Sequence, residues 1–521
     1  MRYTYNILVF CFFFFITSAI RSQSFEPIRI ELSARMDVPT YHTESLGKEG
    51  LLLFYESNEI NENQKRNWFF SLLDTSLTEK WVQIVPLTDG MSFLTSERNA
   101  NGLVMLFTAN SKSKSQSVNY EVITYNNKLE QFNLIGGIIP DKATISGFAA
   151  LDHSALMAIN LPKSKSDFLF FDLRNGSVVS IQNSIGGDVL VNDLSSVKSG
   201  SIFVAAISQE VDKGPMNNYF VVFNHRGTII RTFLHEDLQH RSLHSFAFER
   251  EQTSGDIIVI GSFSYDVNKK DKLKQKDEEE DEAAGLFYLR FSEHQDEQAN
   301  FIDFKDFKNI YKALAAEDLM QIRQKQSRSN NEKADKPDIA FRLFNPNLIT
   351  IEDKLVYSAE AYRPQYRLES RIEYDFYGRP IPYTYSVFEG YNFFTTILGV
   401  FNQQGELSWS YNFEIPEIIS FHLQPHTLIQ PDSSDLVFCV LKDGLLNSSV
   451  IGMDGNEIGS MEQTKVASDF ANDRLLEEDF TSVIHWYENN YIGMGYQKIA
   501  NNKLVENNPR TVFYLNKLSF H

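Results

Sequence analysis

His235, His240 and His244 fall within a ten-residue stretch beside Glu236 and Asp237, and His422 and His426 flank Pro425. Imidazoles and carboxylates are the donor set of a zinc site, which needs three or four ligands converging at about 2.0–2.2 Å. Spacing along the chain does not establish convergence. His235, His240 and His244 therefore stand as candidate ligands against the plainer reading of solvated or structural histidines. The acidic run 277–282 could attract calcium, yet it lacks the glycine turn and ligand alternation of a calcium loop. No HExxH, phosphate-cradling glycine loop, GxSxG elbow or cysteine-based metal spacing occurs. No cofactor is expected, and the chain is expected not to be an enzyme. A hydrolase or lyase built from acids scattered along a channel, which would leave no linear motif, is the alternative.

The other chemically conspicuous stretch is YRPQYRLESRIEYDFYGRPIPYTYSVFEGYNF, residues 362–393, with seven tyrosines and four arginines. Its first half alternates strictly, Tyr366, Leu368, Ser370, Ile372, Tyr374 and Phe376 against Arg367, Glu369, Arg371, Glu373 and Asp375. Tyr377-Gly378-Arg379-Pro380 is a turn signal, and Ile381, Tyr383, Tyr385 and Val387 share one face of the return strand. This predicts a long two-stranded ribbon with one apolar and one charged face. A lone ribbon is marginal in water, so its aromatic face is expected to lie on something. Tyrosine with arginine is the composition of interface anchors. The candidate interaction residues are Tyr366, Tyr374, Phe376, Tyr377, Arg379, Tyr383, Tyr385 and Phe388. Tyrosine faces also stack on sugars, so a glycan is the competing partner.

The elements that must carry these residues repeat. An apolar strand, an aromatic strand, a tight turn and an alternating strand recur from near Leu51, Leu103, Ala155, Ser201, Ile257, Leu355, Leu436 and Tyr491. Each copy is preceded by one more short strand, such as MSFLTSE, ISGFAALD, LHSFAFERE, ISFHLQP or TSVIHWYEN. Ordinary spacings of 52, 52, 46, 56 and 55 residues suit a four-stranded propeller blade. The last copy ends after its third strand, and the orphan strand EPIRIELSA precedes the first copy. One end can therefore supply the strand the other lacks, leaving no open edge. The expected fold is all-β, a single β-propeller of eight blades (seven the alternative) closed by the N-terminal strand. A sandwich or several small β domains is the competing architecture.

The turns in FDLRNG and FNQQGELSW resemble those of quinoprotein-type propellers. The tryptophan that completes that pattern occurs once, at Trp409. The resemblance implies the architecture and no cofactor. No WD dipeptide, Asp-box or kelch pattern accompanies it.

Two spacings are long, 98 and 81 residues, and three insertions account for them. A charged loop at 267–284 separates the second and third strands of blade 5. At 303–337, Phe304, Phe307, Tyr311, Leu314, Ala315, Leu319 and Ile322 recur at steps of three and four, predicting a short helix followed by a polar linker. The ribbon at 362–393 is the third. Loops between second and third strands share a propeller face with blade-to-blade connections, so all three insertions belong to one face.

The N-terminus reads as a signal peptide over 1–22, with Arg2 before the apolar run 7–16, which is too short to span a bilayer. The propeller would then occupy 23–521. Cys11 lies inside the run after Phe10, so no lipid anchor is expected. Removing Arg2 and Arg21 from 49 basic residues leaves 47 against 68 acidic, a balance of −21. Such a chain repels phosphate backbones, which excludes nucleic acid as a partner. No later run reaches the length of a membrane-spanning helix. With only Cys439 surviving processing, no internal disulfide is available. These features point to the periplasm of a Gram-negative cell, in association with the outer membrane. The expected role is an accessory subunit docking another protein, such as an outer-membrane transport or secretion channel or its lipoproteins. A glycan-binding or polysaccharide-acting propeller is the alternative.

Overall fold

The computed structural model describes residues 28–519 except 37, 39, 110–119, 211–215, 238, 240, 266–281, 293–296, 309, 315–338, 375, 433–434 and 504–507. The expected signal peptide lies outside the described residues. The chain forms eight four-stranded antiparallel sheets, each a meander of consecutive strands apart from the last. It is an eight-bladed β-propeller.

The inner strands are Tyr41–Ser45, Met91–Asn99, Thr144–Ala150, Asp188–Val197, Arg241–Arg250, Arg342–Ile351, Thr427–Asp432 and Arg474–Tyr487. They define blades 1 to 8 in chain order, and contacts between them run from blade 2 through blade 8 and on to blade 1. The core is divided into eight apolar clusters, one at each blade interface. This division explains why second strands are apolar at nearly every position. Leu51 and Leu53 face blade 8 while Leu52 and Phe54 face blade 2. Leu103, Met105 and Phe107 face blade 1 while Val104 and Leu106 face blade 3. A strand sandwiched between two neighbours has no solvent side, so the polar half of the alternation disappears. Outer strands such as Ser177–Gln182 and Glu457–Lys465 are largely exposed.

Blade 8 closes the ring. Its order from the inside is Arg474–Tyr487, Asn490–Ala500, Arg510–Ser519 and then the N-terminal strand Arg29–Ser33. The last two pair antiparallel from Arg29↔Asn516 to Ser33↔Val512. Arg510 joins Glu31 at 3.0 Å and Asp473 at 2.6 Å, and the Arg29 guanidinium lies 4.4 Å from the Tyr514 ring centroid. A buried charge left without its partner is costly, so this network opposes fraying of the seam.

The tight turns after third strands use glycine for two reasons at once. Gly227 and Gly405 have φ of +75° and +72°. A Cβ on Gly227 would lie 2.5 Å from the Phe170 ring of blade 3, and one on Gly405 would lie 2.3 Å from the Tyr288 ring of blade 5. Each turn thus sits on an aromatic of the preceding blade, a distance only hydrogen at Cα permits.

Two local expectations are corrected, and one feature is added. The segment ISFHLQP is not the inner strand of blade 7. Its start extends the outer strand Leu407–Ser420 of blade 6, because the long third strand offers partners as far as Tyr391↔Ser420. The expected helix starts instead as two 3-10 turns, Phe304–Asp306 and Ile310–Ala313. Phe304, Phe307 and Ile310 recur at the three-residue step of that geometry and pack with Ile339 and Phe341 between blades 5 and 6. Ala315, Leu319 and Ile322 lie outside the described residues. Finally, register shifts interrupt the inner strands of blades 2 to 6 and 8, for example between Val191 and Asp193 and between Asp479 and Ser482. Such bulges bend a strand and re-aim side chains.

Candidate functional site

In blade 6 the second strand runs Lys354–Tyr374 and the third Pro380–Phe401, paired without a break in contact from Leu355↔Phe401 to Tyr374↔Pro380. The inner strand stops pairing at Tyr362 and the outer strand at Tyr391. Residues 363–374 and 380–390 therefore continue as a ribbon with no further partner strand, extending roughly 35–40 Å at ~3.3 Å per residue.

Register settles its faces, and they differ from the expected pair. Tyr366 pairs with Phe388, Leu368 with Ser386, Ser370 with Thr384, Ile372 with Pro382 and Tyr374 with Pro380. Directly paired residues share a face, so this face is apolar with a hydroxyl pair at its centre. On the other face Arg367 opposes Val387, Glu369 opposes Tyr385, Arg371 opposes Tyr383 and Glu373 opposes Ile381. Tyr383 and Tyr385 thus lie among the charges, not on the apolar face.

The mixed face is knitted together. The Tyr385 hydroxyl donates to Glu369 Oε2 at 2.8 Å, and Arg367 and Arg371 pair with Glu369 and Glu373. The hydrogen bond from Tyr385, and then the charge of Arg367, holds the Glu369 carboxyl below the usual range, and the same hydrogen bond raises the Tyr385 phenol. On the opposite face Ser370 and Thr384 share a hydrogen bond of 3.1 Å. Among the described residues the apolar face does not lie against the propeller. Tyr366, Leu368, Ile372 and Tyr374 are exposed, as is Tyr377, and Phe376 at the tip is 97% exposed. Arg379 lies over the Tyr377 ring. Among the described residues the anchor is at the base, where Phe388 meets Tyr366, Tyr391 and Phe421 at centroid distances of 5.5, 5.1 and 6.3 Å.

The histidines are held by separate local partners. His235, on the outer strand of blade 4, bonds through Nδ1 to Glu297 and stacks on Phe301. Its neighbour Asp237 is committed to Arg241 in a buried pair, with the guanidinium 3.3 Å from the Phe301 centroid. His244 Nε2 lies 3.0 Å from Ser264 Oγ. His240 lies outside the described residues. His422 stacks on Phe480. His426 is buried against Phe393, and burial lowers its pKa to about 4. Among the described residues no group of three His, Cys, Asp or Glu side chains could hold a metal ion. Also among them, no helix is long and apolar enough to cross a membrane.

The sequence reading missed a set of half-buried carboxylates on inner strands. Burial raises Glu44 to about 7, helped by the charge of Glu97, and raises Asp193 to about 6. Asp193 accepts from the Leu194 amide at 2.7 Å, and Asp479 accepts from Phe480 at 2.8 Å, each within a bulge. An aspartate interrupting the apolar alternation of an inner strand was the available signal.

No protein family matches the sequence, and no curated protein matches it. Among solved structures it is similar to polysaccharide lyase Uly1 at 9% identity and a TM-score of 0.37, over 95% of this chain and 99% of that one. It is similar to the β-propeller domain of the Trilobed protease from Pyrococcus furiosus at 8% identity and TM-score 0.33, over 83% and 98%. It is similar to prolyl oligopeptidase B from Galerina marginata at 8% identity and TM-score 0.38, over 89% of this chain but 56% of that protein. The solved structures that it resembles are mostly enzymes, and the expectation that this chain is not one is withdrawn on that finding. At these identities the likeness is one of fold class: the chain is a β-propeller.

Proposed function

We propose that this chain is an exported propeller that docks a partner protein through the ribbon of blade 6. The observation that carries the reading is the apolar ribbon face, bare from Tyr366 to the tip at Phe376. Monomeric proteins seldom leave a contiguous row of large apolar side chains in water unless something binds there. A ribbon braced by hydrogen bonds and ion pairs presents that row already ordered, which reduces the entropy lost on binding. The N-terminal apolar run supports export, and the envelope partner in view is an outer-membrane transport or secretion channel or one of its lipoproteins.

A photo-crosslinking residue placed at Phe376 in the native host tests this. The expected result is one dominant envelope protein joined at that position. Its yield should fall at least roughly tenfold when Tyr366 and Tyr374 are changed to serine, the loss of two anchoring aromatics. Crosslinks that are absent, or unchanged in the double variant, would overturn the reading.

A further inference from the structure

The opposite face of the propeller carries a cavity of about 950 Å³ that the ribbon does not touch. It is lined by turns between first and second strands, or between third and fourth, of blades 2, 3 and 4 and by the strand ends beside them. These turns bring together Arg98, Arg174, Lys198 and Arg226, with Ser154 and Phe170.

Four cations on one cavity are unusual in a chain of net charge −19. Their charge is incompletely answered from within. Arg174 is forked onto Asp172 at 3.0 and 2.9 Å, and Lys198 is 4.0 Å from Glu97. Among the described residues neither Arg98 nor Arg226 has a carboxylate partner. A second observation is independent of charge. Ser154 is 3% exposed, and its buried hydroxyl has no hydrogen-bond partner. A buried polar group left unpaired calls for an explanation, and here it borders the cavity.

The turns are fixed in place. Asn99 Nδ2 donates to Leu151 O at 3.1 Å, Asn101 Nδ2 donates to Asp152 O at 2.8 Å, and the Ala100 amide donates to Asp152 Oδ1 at 2.9 Å. These bonds staple blade 2 to blade 3. Asn224 accepts from the Arg226 and Thr228 amides, and Gly227 rests on Phe170, so blade 4 is tied to the same floor. The cavity is a preorganised site rather than a loose basic surface.

We infer that this cavity binds a carboxylate-bearing oligosaccharide. Guanidinium forks match carboxylates in geometry as well as charge, and Arg98 and Arg226 supply them. Ser154 and the nearby carboxylate of Asp152 suit sugar hydroxyls, which both donate and accept. A polyphosphorylated ligand, with up to two charges on each phosphate, is repelled more strongly by the overall negative charge and by Asp152 and Asp172 than an oligosaccharide with one charge per sugar. The volume is many times that of a single inorganic anion and falls within the range of oligomer-sized ligand sites.

Calorimetry on the full chain with a galacturonate tetramer, a neutral galactose tetramer, inorganic sulfate and inositol hexakisphosphate tests the inference. The acidic tetramer should bind, and more weakly as salt rises. The neutral tetramer should not. R98A combined with R226A should weaken binding at least about tenfold, as loss of charge-assisted hydrogen bonds implies. R98K with R226K, which keeps the charge and the fold but loses the forks, should recover only part of it. S154A should cost less, roughly threefold, and removal of residues 365–387 should change nothing. Equal binding of the neutral tetramer, tighter binding of the inositol phosphate, binding of sulfate alone, or an unaffected R98K/R226K variant would each overturn it.

Discussion

One pair of strands lives in two environments. Between Lys354 and Tyr362 the second strand of blade 6 is buried on both sides, Leu355, Tyr357, Ala359 and Ala361 toward blade 5, Val356 and Tyr362 toward blade 7. A few residues further the same strand, still paired to the same partner, is bare on both sides. The two strands stay paired through register shifts at Ala361/Tyr362 and Gln365/Tyr366, so the main difference lies in what the side chains meet. Inside the ring the strand is stabilised by packing. Outside it the ribbon is held by cross-strand ion pairs, a phenol–carboxylate bond and a small aromatic base, interactions worth only a few tenths of a kcal/mol each at exposed sites. The ribbon is therefore carried by the fold and contributes little to it.

That contrast can be broken most directly on the third strand. Phe401 is fully buried and 6.1 Å from Tyr288. Phe401→Ala should cost about 3–5 kcal/mol, whereas Tyr383→Ala on the same strand should stay within about 0.5 kcal/mol. Denaturant midpoints compare the two, and equal losses would erase the distinction.

The contrast extends to protonation. Glu44 on the wall of the ring is raised from 4.5 to about 7, chiefly by burial, while Glu369 on the ribbon is lowered, chiefly by Tyr385. Between pH 4.5 and 7 the native state holds a proton on Glu44 that the unfolded chain has released. This contribution to stability is thus full below pH 4.5 and is lost as pH rises through 7. Glu44→Gln should flatten that decline and raise stability at pH 8 by about 1–2 kcal/mol after allowing for partial solvent contact. Unfolding curves of both proteins across this range would show it, and parallel curves would refute it.

Replacing residues 365–387 by a short Asn-Gly turn should move the unfolding midpoint by no more than about 1 °C, since little packed surface is lost. A larger drop would mean that the ribbon braces the blade. The smallest effect is expected from Tyr385→Phe, which should leave the unfolding midpoint unchanged. Its signature is chemical: the Glu369 carboxyl should titrate at higher pH in a carbon NMR titration.

The sequence made the ring legible because blade spacing, apolar second strands and glycine turns are local signals. Even the missing fourth strand of blade 8 was visible as a surplus strand at the other end. The ribbon was legible as two alternating strands, but not in the way their faces combine. Alternation fixes parity within a strand, whereas parity across a hairpin depends on the turn. Here Tyr374 pairs with Pro380, so even numbers meet even numbers and Tyr383 lands opposite Arg371. The start of the expected helix was misread because steps of three serve 3-10 turns as well as a helical stripe. The cationic cavity left no signal, since Arg98, Arg174, Lys198 and Arg226 come from four separate turns.

The seam has a consequence in time. Arg29 and Asn516 lie nearly the whole chain apart, so the seam forms only once the strands Arg29–Ser33 and Arg510–Ser519 are both available. Until then Arg29–Ser33 is a bare ribbon of backbone donors and acceptors, and the growing stack of blades keeps an open edge as well. Closing so long a loop adds only a logarithmic entropic cost, yet it delays the moment at which the ring becomes one cooperative unit. Any helper that shields unpaired strands would find its substrate here, during assembly and never afterwards.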